Sequence, residues 1–143
     1  MKEHRYLRAY MAGVLLPSWL LLLALAVFLL AHFTQRVPAG LEVALVFPMA
    51  IVPNLWGVWN VLYTRLGLRG RVSIGVFGSL LPLILVPAGL GLAGVLGLRF
   101  YTLGQAALLL PLAMAVYYLA WKYAVEFFNR IVGAYASTHL HEM

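Results

Sequence analysis

Four long apolar runs, separated by three short polar connections, dominate the chain. Each is close to the ~20 residues that a helix needs to cross a hydrocarbon core. The first covers residues 11–33, behind a basic head with Lys2, Arg5 and Arg8. It is longer than the ~7–15 residues of a signal-peptide core and no small-x-small cleavage site follows it, so it reads as a retained helix. The second run, 41–63, follows a connection with Pro38 and Gly40, which suits the start of a returning helix. The third, 72–98, exceeds a perpendicular crossing and must tilt, kink or overshoot. The fourth is apolar over 103–121, and its helical pattern continues to about Ala136.

The pattern predicts an all-α integral membrane protein with four transmembrane helices in two hairpins. Pro48 and Pro53 kink the second helix, Pro82 and Pro87 kink the third, and the fourth extends into the cytoplasm. One membrane domain then spans 1–136, and 137–143 is a flexible tail.

Composition strengthens this reading. Of 143 residues, 64% are hydrophobic and 10% charged, and aspartate is absent. That is too little polar surface to coat a water-soluble core. The net charge of +6 would suggest nucleic acid in a soluble protein. Here the cations flank apolar runs, so topology and anionic lipid explain them and no nucleic acid is expected. The head, the second connection and the C-terminal extension hold eight Lys and Arg, against Arg36 and Arg99 in the other two connections. Both termini are therefore expected to be cytoplasmic, as in a protein of the bacterial inner membrane.

Shifting the sequence by 65 residues aligns Gly13, Leu15, Leu16 and Pro17 with Gly78, Leu80, Leu81 and Pro82, and Trp56 with Trp121. The excess of identities over chance is modest. It raises the expectation of a direct hairpin repeat, 1–66 and 67–136, related by an axis along the membrane normal.

Candidate chemistry is sparse. Glu42 is the only acid in the first three runs, but it lies in the first turn of its helix, where the helix dipole and interfacial water favour a carboxylate. On a regular helix Glu42, Pro53, Trp56 and Asn60 share a broad face, while Asn54 points elsewhere. Two readings stay open for this segment: a polar pathway or cavity beside a proline-broken helix, or asparagine clasps between helices. Arg65, Arg69 and Arg71 are candidate contacts for a lipid head group. Gly75 with Ser79, and Gly89 with Ala93 and Gly97, repeat at four-residue spacing and form a candidate helix-packing face. Beyond Trp121, the residues Trp121, Phe128, Ile131 and Tyr135 recur at helical spacing opposite Lys122, Glu126 and Arg130, with Asn129 near that charged row. This is an amphipathic extension suited to an interface.

The chain contains no cysteine, and its four histidines are scattered between head, first run and tail. No nucleophilic triad, phosphate loop or paired carboxylate is apparent, and no cofactor or metal is expected. In the number of its spans the chain is similar to small four-span multidrug exporters, but it has no counterpart to their carboxylate within a span. The expected function is that of a non-catalytic accessory subunit or self-associating scaffold, with a membrane protein or a second copy as partner. The alternative is a small transporter or channel using Asn54 and Asn60.

Overall fold

A computed structural model describes residues 4–34, 41–95, 97 and 102–135, with backbone alone for 41–50, 93 and 103. Among them all regular structure is helical: α1 (Arg5–Phe33), α2 (Leu41–Arg65), α3 (Ile74–Ser79), α4 (Pro82–Val95), α5 (Leu103–Leu119), a π-helical stretch (Ala120–Val125) and α6 (Glu126–Ile131). Three helical stretches, Arg5–Phe33, Ile74–Leu92 and Gly104–Ile131, are long and apolar enough to cross a membrane. At 1.5 Å per residue the first is about 43 Å long, against about 30 Å of hydrocarbon.

Helix ends have local causes. The Thr34 hydroxyl closes α1 by donating to the carbonyls of Ala31 at 2.9 Å and Leu30 at 3.2 Å. Thr102 opens α5 with a capping box: its hydroxyl accepts from the Gln105 amide, and the Gln105 side chain accepts from the Thr102 amide at 2.9 Å. Thr102→Ala removes the hydroxyl half of that box, and a loss of about 1 kcal/mol is expected in reversible unfolding in mixed micelles.

The third apolar run is two helices rather than one. Pro82 has no amide hydrogen to donate back along the helix, and tighter i to i−3 bonds take over at Leu81, Leu83 and Ile84. Helix α4 ends at Val95, so Gly97, with φ of 71°, lies beyond it in a turn. The fourth run also stops short of the expected Ala136. After α6, Gly133 takes a φ of 66°, its amide donates to the Arg130 carbonyl, and the Ala134 amide donates to the Asn129 carbonyl. This is a Schellman motif, which satisfies the last carbonyls and turns the chain back.

The chain forms two compact units, Met1–Leu66 with Phe127–Met143, and Gly67–Glu126. In the first, α1 packs along α2, with Gly13 against the backbone of Trp56 and Gly57, and with the Tyr10 ring against Gly57. In the second, α3 and α4 pack on α5, and α3 also packs on the π stretch, with Gly78 against the Trp121 side chain and Gly75 against Lys122 and Tyr118.

These contacts coincide under the 65-residue shift. The pair Gly13 and Trp56 becomes Gly78 and Trp121, and Tyr10 and Gly57 becomes Gly75 and Lys122. Burial follows the same shift: Ala9, Ala12, Gly13 and Pro17 are buried, as are Ile74, Phe77, Gly78 and Pro82. On the partner helices Trp56, Asn60 and Thr64 are buried, as are Trp121, Val125 and Asn129.

Candidate functional site

Among the described residues of the first unit, the buried polar side chains gather around Asn60, on the last third of α2, and Asn129 on α6. Both side chains are fully buried. The Asn60 amide nitrogen donates to the Ala9 carbonyl at 2.7 Å and to the Asn129 side-chain oxygen at 2.8 Å. Asn129 returns the bond to the Asn60 oxygen at 3.1 Å and spends its second hydrogen on the Tyr135 hydroxyl at 3.0 Å. The Thr64 hydroxyl donates to the Asn60 backbone carbonyl at 2.9 Å. An asparagine amide has two N–H donors, and here all four in the pair are used. The arrangement is a closed amide ring that ties α1, α2 and α6 together. It offers no spare amide hydrogen to a ligand.

The last helical stretch passes through a π turn over Ala120–Val125, and Trp121, Val125 and Asn129, at four-residue spacing, are buried. The face differs from the amphipathic one expected from the sequence. Phe128 is half-buried, Ile131 is 64% exposed, and Asn129 is inside rather than beside the charged row. Tyr135 lies past the end of α6, where the Schellman turn lets it reach Asn129.

The remaining candidate residues are distributed as follows. Pro53 and Trp56 are buried with Asn60, whereas Asn54 is exposed and accepts a hydrogen bond from the Tyr10 hydroxyl. The Glu42 side chain lies outside the described residues. Arg65, Arg69 and Arg71 are exposed, around a connection that turns at Gly67 and Gly70 with φ of 62° and 86°. Of the small residues, Gly75 is packed, Ser79 is half-buried and its hydroxyl donates to the Val76 carbonyl at 2.8 Å. Gly89 has open space where a side chain would be, and the Ala93 side chain lies outside the described residues. The break before Pro82 and the end of α4 before Gly97 divide these residues among three structural segments.

Sequence reasoning missed three participants. Tyr10 is the partner of Asn54, Asn129 is the partner of Asn60, and Gly78 is the seat of Trp121. Four-residue spacing from Trp121 through Val125 to Asn129 was the available signal for the second. In the second unit, Lys122 is fully exposed, its ammonium 5.3 Å from the Tyr118 ring centre and 5.6 Å from that of Tyr123. These are cation–π distances.

Among the described residues no group of three or more His, Cys, Asp or Glu could hold a metal ion. Comparison with protein-family models, with curated proteins and with solved structures yields no match.

Proposed function

We propose that this chain is a non-catalytic integral membrane module: four crossings in two hairpins, both termini cytoplasmic, acting as an accessory subunit or self-associating scaffold. The observation that carries the reading is the closed Asn60–Asn129 ring. Among the described residues of the first unit, the buried asparagine pair spends its amide hydrogens on holding helices together. Large apolar side chains meanwhile cover the outside, including Trp19, Leu23, Leu30, Leu108 and Leu112. Lipid is the solvent that suits such a surface. We further read the recurring contacts of the two units as the mark of a duplicated hairpin, which favours a structural building block over a single asymmetric site.

The test is the state of the protein in native nanodiscs, extracted without detergent and analysed by cross-linking and mass spectrometry. A defined oligomer or a stoichiometric membrane-protein partner is the expected result. A monomer with no companion overturns the scaffold reading. The exposure of Asn54 gives the transport alternative its one foothold. Ion or solute flux in liposomes that disappears in Asn54→Leu would move the assignment to that alternative.

A further inference from the structure

Every described Lys, Arg, Asp or Glu side chain sits at one end of its own helical unit. In the first unit, Asn60 bonds the Ala9 carbonyl, which places Arg5 and Arg8 within about a turn of that level. Arg65 ends α2 just beyond it, and Arg130 is the neighbour of Asn129 in the ring. In the second unit, Gly75 lies against Lys122, and Arg69 and Arg71 immediately precede that level in sequence. All seven cations are exposed. Glu126 is the single described acid, half-buried one turn after Lys122. The described residues of 9–34, 51–64 and 72–121 carry no Lys, Arg, Asp or Glu.

We infer that each of these basic ends is a docking surface for anionic phospholipid head groups, with Lys122 contributing in the second unit. The inference deepens the membrane reading above and rests on it. Three features select a lipid surface as the partner. The cations have exposed apolar neighbours in sequence: Leu7 and Met11 within three positions of Arg8, Leu66 next to Arg65, and Leu119 three positions before Lys122. A head group with its acyl chains would meet charge and hydrocarbon together, whereas a free phosphate would meet only the charge. Aromatic rings accompany the cations within each unit: exposed Tyr6 follows Arg5 in the first, and Tyr118 and Tyr123 flank Lys122 in the second. Tyrosine and tryptophan prefer this boundary, where a ring can face hydrocarbon and a hydroxyl can face water. Lastly, both units carry the feature at the corresponding end, where the first helix of the pair starts and the second finishes. Each cation near an anionic leaflet adds a comparable attraction, so the effect accumulates along such an end.

The experiment uses the full chain in nanodiscs made from equal parts phosphatidylglycerol and phosphatidylcholine, released for native mass spectrometry, with retained lipids counted by head group. Selective retention of phosphatidylglycerol is expected. In Lys122→Gln the preference should fall roughly fivefold, the factor set by about one charge at an anionic surface. The triple variant R69Q/R71Q/K122Q should fall further, while R69K/R71K, which keeps the charge, should match the parent. Equal retention of the two lipids, or a preference that the triple variant leaves intact, overturns the inference. So does loss of the preference on adding inorganic phosphate at matched ionic strength, which would identify a free-phosphate site. These outcomes leave the membrane reading standing if the protein enters pure phosphatidylcholine discs in folded form. Failure to enter either kind of disc overturns both.

Discussion

Gly13→Ala and Gly78→Ala are expected to destabilise the protein by about 1–3 kcal/mol each, the range for overpacking a tight interior. A Cβ at Gly13 would lie 2.6 Å from the Trp56 carbonyl oxygen and 2.9 Å from the Gly57 Cα. Both obstacles are backbone, so α1 and α2 would have to separate. At Gly78 the obstacle is the Trp121 side chain, with its Cδ1 at 2.5 Å. That side chain is fully buried and cannot swing away into solvent. The internal control is Gly89→Ala, because a Cβ there meets nothing within 4 Å. Alanine favours a helix over glycine by about 1 kcal/mol, so this variant should be neutral or slightly stabilised. Reversible unfolding in mixed micelles compares all three. If Gly13→Ala and Gly78→Ala resemble Gly89→Ala, the close helix contacts described above are wrong.

The second large effect is expected at the amide ring. Asn60→Leu leaves the Asn129 oxygen and one of its N–H groups buried without their partner. Asn129→Leu does the same to Asn60. Each should cost about 1–3 kcal/mol, the penalty for orphaning a buried polar group. The double variant N60L/N129L should cost clearly less than the sum, because it removes both halves of the exchange and leaves apolar groups of similar size. A coupling of about 1 kcal/mol or more is therefore expected from the double-mutant cycle. Additive losses would mean that the two asparagines act independently. The cycle also bears on function, since a ring that serves only to hold helices can be replaced by leucines without loss of partner binding.

Several elements were legible because their causes are local. The end of α1 at Phe33 and the starts of α2 at Leu41 and α5 at Leu103 fall where the apolar runs begin or end. Pro82 lies at the break in the third run, whereas Pro17, Pro87 and Pro111 lie inside helices, so the missing amide marks a possible break without deciding it. Gly133 was readable as a helix terminator, although hydrophobic spacing alone carried the expected helix past it. Other boundaries were less visible: α1 starts at Arg5 rather than Met11, because a helix can continue through a charged turn after its apolar run has ended.

The candidate residues divide along the same line. Asn60 stood out as a polar residue in an apolar run, and its need for a hydrogen-bond partner could be inferred. The identity of the partner could not. Asn129 is 69 positions away: four-residue spacing from Trp121 marks it as a buried position, but not as the one that meets Asn60. Similarly, the four-residue repeat of small side chains cannot distinguish Gly75, pressed against Tyr118 and Lys122, from Gly89, which faces open space.

By itself the sequence determined the number and extent of the apolar runs and the grouping of positive charge, because hydrophobicity and charge belong to individual residues and their near neighbours. The tertiary structure alone decided which glycines are seats for another helix, that Asn129 meets Asn60, and that both asparagine amides are satisfied. Those are properties of pairs of groups far apart in the chain, set by how closely two helices approach and in what phase.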